Sequence, residues 1–287
     1  MISIRPLRRS DRNFVLQMTQ HENWMDLPCD INRCVECACG EGCFVAEIDG
    51  KQAGHVFSFN YGRIGWIGLL IVKTEYRKRG IATTLMKEAI NYMFSHGVET
   101  IKLDAVQSIA DLYRKLGFID ECDSIRFARI GKRGITSFSK FLEHMKEEEL
   151  EQIAEFDAQY FGVNRLKVLD CLFRDYPEYC FVSRSMNKIN GYIMARKTES
   201  GFWIGPWVCN PQNYATAKKL ITSCINSFDE NGLELRVGIP SVNSNATRLL
   251  QSLEFKEVSK SIRMVLGKRD LTGNFLGVYG IAAPEKG

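Results

Sequence analysis

Apolar residues in this chain fall into two recurring arrangements. Some form short dense runs suited to strands; others return every three or four positions, as on one face of a helix. Phe44 to Ile48 and Ala53 to Phe59 are dense runs joined by Asp49-Gly50, a dipeptide that suits the left-handed backbone of a tight hairpin. Trp66 to Val72 is a third, almost wholly apolar run. The spacing then changes, and Ile81, Leu85, Met86, Ala89, Ile90 and Met93 form a helical stripe that Gly97 closes. Thr100 to Asp104 reads as another strand. Ile109, Leu112, Tyr113 and Leu116 make a second stripe, ended by Gly117 before Phe118 opens further strand structure.

This succession occurs twice. Cys43-Phe44-Val45 reappears as Cys180-Phe181-Val182, Gly54 as Gly191, Trp66-Ile67-Gly68 as Trp203-Ile204-Gly205, Leu116 and Phe118 as Leu253 and Phe255, and Ser124-Ile125-Arg126 as Ser261-Ile262-Arg263, always 137 residues on. Several matches at one offset and in one order imply two copies of one fold. The second copy predicts strands over Phe181 to Ser185, Gly191 to Ala195, Phe202 to Val208 and Leu233 to Val237, with helices over Ala217 to Phe228 and around Ala246 to Leu253. Gly131-Lys132-Arg133-Gly134 is the natural link, which divides the chain into residues 1–133 and 134–287.

A length of 287 residues with 45% hydrophobic content accommodates two domains with proper cores. The 38 Lys and Arg residues nearly balance the 34 Asp and Glu, so the charge gives no general case for nucleic-acid or anionic-membrane binding, and any anion site must be local. Met1 to Asp11 is charged and lacks an apolar signal region, and no apolar run is long enough to span a bilayer. A cytoplasmic protein, monomeric or homodimeric, is expected. Among the ten cysteines, Cys171, Cys180, Cys209 and Cys224 sit in apolar runs and read as small buried hydrophobes. Cys29, Cys34, Cys37, Cys39 and Cys43 are clustered, and Cys34 and Cys37 have a spacing used by zinc ligands. The Cys37 to Cys39 gap is awkward for one tetrahedral centre and no second ligand pair follows, so reduced thiols in a loop and strand start are expected, and no metal.

The chemistry is concentrated between Val72 and Ala82, where an apolar strand runs into an amphipathic helix through Lys73-Thr74-Glu75-Tyr76-Arg77-Lys78-Arg79-Gly80. A helix start has backbone N–H groups without intrahelical partners and a partial positive charge, which together attract phosphate. Gly80 and Ala82 allow close backbone approach to a diphosphate, the amides of Ile81, Ala82 and Thr83 open the helix, and Arg77, Lys78 and Arg79 supply charge-assisted contacts.

Arg77, Gly80 and Ala82 also fit a known signature: Arg or Gln, two residues, Gly, one residue, then Gly or Ala. With Ala110-Asp111-Leu112-Tyr113-Arg114-Lys115-Leu116-Gly117-Phe118 following in the right order, the chain resembles the GNAT N-acetyltransferase superfamily. The resemblance implies a mixed α/β (α+β) fold of two GNAT-like domains, each a mostly antiparallel twisted sheet flanked by helices. It also implies acetyl-CoA as cosubstrate and a small-molecule or protein amine as acceptor. Leu70, Ile71 and Val72 match the strand positions that pair with the pantetheine arm, and Tyr113 matches a tyrosine placed beside the cofactor sulfur. Attack of an amine on a thioester develops an oxyanion that a strand N–H can stabilise and expels a thiolate that a phenol can protonate. From the stripe alone Tyr113 reads as a core aromatic; the resemblance makes it the general acid. Asp104, at its strand's end, is the first choice of general base, ahead of His55 and Glu75; Trp24 and Trp207 are candidate acceptor contacts.

There are departures from the pattern. Val106 stands where the family often has Asn, and Thr74 where it often has Pro. In the second copy the loop Asn210-Pro211-Gln212-Asn213-Tyr214-Ala215 lacks both the cations and the glycine, and Leu250 replaces Tyr113. Phe156-Asp157, Phe161-Gly162, Arg165, Trp203 to Trp207 and Tyr279-Gly280 resemble tandem members with a degenerate second half, which implies that this half shapes the acceptor site or stabilises the first. An aminoacyl-tRNA-dependent transferase and a non-catalytic acyl-CoA sensor are alternatives on the same fold.

Overall fold

Every element inferred from the hydrophobic pattern is present in the structure, a computed structural model. It describes residues 2–22, 24, 27–38, 42–130, 143–228, 232–269 and 273–287, the side chain of Cys37 excepted. The link expected at Gly131 to Gly134, together with Cys39, lies outside the described residues. In chain order the elements are β1 (Ile2–Pro6), α1 (Arg12–His21), α2 (Pro28–Ala38), β2 (Phe44–Ile48), β3 (Lys51–Asn60), β4 (Ile64–Val72), α3 (Ile81–Ser95), β5 (Thr100–Val106), α4 (Ala110–Lys115) and β6 (Ile119–Ile130). There follow β7 (Glu143–His144), α5 (Leu150–Phe161), α6 (Leu166–Asp175), β8 (Phe181–Ser185), β9 (Lys188–Thr198), β10 (Gly201–Cys209), α7 (Tyr214–Asn226), β11 (Glu234–Pro240), α8 (Ser244–Ser252), β12 (Lys256–Gly267) and β13 (Val278–Gly280).

The chain forms two compact units that are interleaved in sequence. Unit 1 comprises residues 1–121, 264–271 and 284–287, and unit 2 comprises 122–263 and 272–283. Unit 1 orders its strands β1-β2-β3-β4-β5, with the end of β12 next to β5. From β1 to β4 each strand runs antiparallel to the next, and β4 and β5 are parallel. Unit 2 repeats the arrangement as β7-β8-β9-β10-β11, with β6 antiparallel to β11 from Ser124 to Ile130. The last strand of the first copy thus completes the second copy's unit, and the end of the second copy's last strand belongs to the first copy's unit.

Sheet alternation sets the two faces of unit 1. A side chain at Gly65 would meet Met93 of α3, so that face of β4 packs on α3. Trp66 and Gly68 point the other way, and their partners across β3, Phe59 and Phe57, share their face. His55 lies in the same row, edge-on to Phe57 and to Phe14 of α1, which places α1 on this second face. One expectation is corrected here. Cys29 and Cys34 lie on helix α2, not in a loop; Pro28 opens the helix, Leu27 N donates to Asp30 Oδ2, and Cys34 is buried. Cys43 is buried before β2, where Ser58 N donates to its Sγ at 3.3 Å.

His55 is fully buried, and neither ring nitrogen makes a hydrogen bond of ordinary geometry. Burial drives its pKa down to about 4, against weaker opposing pulls from the Leu69 backbone and the Asp11 charge. The unfolded chain, with a histidine pKa near ~6.5, then binds more protons than the folded one between these values. Stability contributed by the neutral ring is therefore complete above about pH 6.5 and lost as pH falls toward 4, by ~3 kcal/mol. Urea unfolding from pH 7 to 4 should show this slope, and His55→Gln should flatten it; an unchanged slope in the variant would place the titration elsewhere.

Candidate active site

The strand that leads to the basic loop is also the strand that separates from its neighbour. β4 and β5 pair only at Ile64↔Thr100, Gly65↔Ile101 and Trp66↔Lys102. Beyond Trp66, the edge of β4 toward β5 carries backbone groups without ladder partners, and this edge includes Leu70, Ile71 and Val72. On its other edge β4 pairs with β3 through an irregularity between His55 and Phe57, opposite Leu69, whose φ is +48°. A bulge of this kind bends the strand locally and re-aims its backbone, an arrangement common beside functional sites.

From Val72 the chain runs through a short turn, Thr74–Tyr76, to the start of α3. Lys78 has φ +61° and Gly80 has φ +79°, a left-handed conformation that glycine adopts without penalty. Successive turns of this kind direct backbone N–H groups toward a common point. Gly80 occupies the N-cap of α3 and no side chain caps it, so the first amides of the helix, at Ile81, Ala82 and Thr83, face outward without a capping acceptor. The three cations differ in their surroundings. Arg77 donates to Val72 O at 2.9 Å and pairs with Glu22 at the end of α1, so its charge is engaged in holding the loop. Lys78 and Arg79 are exposed and, among the described residues, make no ion pair; the Arg79 guanidinium lies 5.6 Å from the ring centroid of Tyr76.

The remaining candidates are divided between the walls. Tyr113, on α4 immediately after β5, is buried with its ring edge-on to Phe118 at 6.1 Å, and burial raises the pKa of its phenol well above the ordinary value. Asp104 is half-buried on β5, two residues beyond the last pair with β4 and on the face of Lys102. Lys102 is itself buried and paired with Glu121 at 2.9 Å. Trp24 lies between α1 and α2, is 37% exposed, and donates its backbone N–H to Thr19 O. Glu75 is exposed in the turn. A contribution that sequence reasoning missed comes from residues 284–287: Trp66 Nε1 donates to Pro284 O at 2.9 Å, Tyr61 Oη donates to Lys286 O at 3.1 Å, and Glu285 packs on Gly68.

Unit 2 has the same framework, but its chain fills the corresponding places. β10 pairs with β11 only at Gly201↔Glu234, Phe202↔Leu235 and Trp203↔Arg236. Farther along, the freed edge of β10 is taken by β13, through Trp207↔Gly280 and Val208↔Val278. Ile281 N then donates to Gly238 O of β11 at 2.8 Å, so polypeptide bridges both lips. Trp207 and Val208 stand 137 residues after Leu70 and Ile71. Asn243 donates to Val278 O at 2.9 Å, and the side chain of Asn213 caps α7 by accepting from Thr216 N. Trp207 is fully buried with its ring 5.1 Å from that of Tyr279, a core position with no surface open to an acceptor. A buried cluster of Asp157, Arg165 and Tyr192, with Arg165 Nε donating to Asp157 at 2.8 Å, ties α5 to β9.

Comparison with known proteins agrees with this duplicated architecture. Residues 7–118 match the acetyltransferase (GNAT) family and residues 153–280 match an acetyltransferase (GNAT) domain. A holothin acyltransferase of Pseudoalteromonas sp. (strain SANK 73390) is 21% identical over 86% of this chain and 82% of its own length. The crystal structure of a putative acetyltransferase from Pyrococcus horikoshii superposes with a TM-score of 0.82 at 25% identity, over 100% of this chain and 96% of that one. A tandem GNAT protein from the clavulanic acid biosynthesis pathway shares the fold, with a TM-score of 0.63 at 12% identity over 93% of this chain and 98% of that one. Among the described residues no helix is long and apolar enough to cross a membrane. With two segments matched and the strand order repeated in both units, the chain belongs to the GNAT acyltransferase family and carries two GNAT domains in tandem.

Proposed function

We propose that the protein is an acetyl-CoA-dependent N-acetyltransferase in which unit 1 holds the donor and a primary amine, on a small molecule or a protein, attacks it directly. The observation that carries this reading is a contrast. In unit 1 an unpaired strand edge leads to an uncapped helix start, whereas in unit 2 β13 and Asn213 satisfy the same two features.

The residues of unit 1 suit coenzyme A. The amides of Gly80 to Thr83 would take the diphosphate, with Lys78 and Arg79 adding charge-assisted contacts, and the backbone of Leu70, Ile71 and Val72 would pair with the pantetheine amides. When bound, acetyl-CoA supplies the thioester carbonyl that the amine attacks. A strand N–H at Leu70 or Ile71 would orient that carbonyl and stabilise charge on its oxygen, and the Tyr113 hydroxyl would deliver a proton to the departing sulfur. Unit 2 would need to release β13 from β10 before it could offer the same strand edge.

Calorimetric titration with acetyl-CoA tests the reading, together with thiol release on a panel of primary amines. One site per chain is expected. Because Lys78 is exposed and makes no ion pair among the described residues, Lys78→Ala should weaken binding about tenfold, the size of one charge-assisted contact, without changing thermal stability. Two sites per chain, or none, would refute the assignment to unit 1.

A further inference from the structure

We infer that Glu285 is the carboxylate that receives the acceptor's ammonium group in unit 1 and takes up one of its protons, a role that rests on the acetyl-transfer reading above. Glu285 lies far from the motif in sequence but is held firmly against β4. Tyr61 and Trp66 fix the carbonyls on either side of it, those of Lys286 and Pro284. Its backbone packs so closely on Gly68 that a methyl group there would come within 2.4 Å of the Glu285 Cβ and 2.8 Å of its carbonyl oxygen.

The position is the one the chemistry requires. Gly68 is two residues from Leu70 and two residues beyond Trp66, the last residue of β4 paired with β5. Gly65 faces α3, whereas Trp66 and Gly68 face away from it, toward Pro284 and Glu285. On the acetyl-transfer reading, a donor whose diphosphate is held at the start of α3 would enter between the strands from the α3 side, leaving the opposite face to the acceptor. Phe14 of α1 packs on that same face, which adjoins the Trp24 connection.

The immediate environment of Glu285 is also informative. Lys286 Nζ donates to Glu285 Oε1 at 2.7 Å, with the two side chains only 5% and 12% exposed. The carboxylate is therefore already arranged around a primary alkylammonium ion, the chemical group that a lysine-like acceptor would present. Burying such a pair is costly unless both charges keep their partners. In the reaction, one N–H bond of the acceptor ammonium breaks and an O–H bond forms on Glu285. The electron pair left on nitrogen makes the bond to the acetyl carbon as the C–S bond breaks, and the sulfur takes the Tyr113 proton. The acetylated nitrogen then loses its second proton through water, which restores the Tyr113 phenol, and Glu285 passes its own proton to water.

The test uses the full chain with Glu285→Gln, Glu285→Asp and Asp104→Asn. Each is assayed for acetyl-CoA binding by calorimetry and for kcat/KM with an alkylamine, protonated at about pH 7, and with an arylamine, neutral there. For Glu285→Gln the acetyl-CoA Kd should be unchanged and kcat/KM for the alkylamine should fall at least about tenfold, with the arylamine much less affected and Glu285→Asp restoring part of the loss. Equal loss for both amines, no loss, or a charge-selective defect in Asp104→Asn instead would overturn the assignment. If the wild-type chain binds acetyl-CoA but turns over no amine, the acetyl-transfer reading falls, and this role with it; if turnover persists and only the Glu285 variants behave normally, the role of Glu285 alone falls.

Discussion

Tyr113→Phe is expected to lower kcat about a hundredfold while leaving the KM for acetyl-CoA and the melting temperature unchanged. The expectation follows from where the phenol sits. Its ring is buried against Phe118, and a phenylalanine keeps that packing. Among the described residues no hydrogen bond to the hydroxyl is found, so its removal leaves no partner unsatisfied. What the substitution removes is a proton donor. Burial raises the phenol's pKa, so the acid form persists beyond its usual range, and the wild-type rate should hold into alkaline pH without a decline from this group below about pH 10. A variant with kcat within twofold of wild type would return Tyr113 to the role of a core aromatic.

The second large effect concerns stability. Trp207 is fully buried and packs on Tyr279 beneath β13, so Trp207→Ala should cost unit 2 about 3–5 kcal/mol through lost transfer energy and the cavity left behind. At about 2–4 °C per kcal/mol, the transition of that unit should fall on the order of 10 °C. Scanning calorimetry is the appropriate measurement. The acceptor KM, measured well below the transition, should stay the same. A raised KM with an unshifted transition would instead make Trp207 an acceptor contact.

Much of the fold was legible in the sequence because strands and helices impose periods on apolar residues, and the 137-residue repeat doubled that signal. Asp49-Gly50 and the stripe from Ile81 to Met93 predicted a hairpin and a helix that the structure contains. Helix α2 was hidden because Cys34 and Cys37 invite a reading as chemistry, although Ile31, Cys34 and Val35 are buried as on a helix face. Position and composition picked out the loop from Arg77 to Gly80, but which cation is already engaged depends on Glu22, 55 residues earlier, and periodicity carries no record of such a partner. β13 is too short, at three residues, to show any period, and its pairing with β10 had no local sign. Glu285 was invisible for the same reason: Gly68 marks its place, and a glycine in a strand does not say what approaches it.

The interleaving of the two units has a bearing on how the protein comes to be made. Unit 1 begins with β1 but is finished by residues 264–271 and 284–287, which leave the ribosome only after nearly all of unit 2. The first copy cannot close its sheet as it is synthesised and must wait with an open strand beside β5 until the end of β12 arrives. Closures across such separations are slow, and a waiting strand edge is exposed to mispairing. Dividing the chain at the midpoint of the duplication would therefore leave two incomplete sheets.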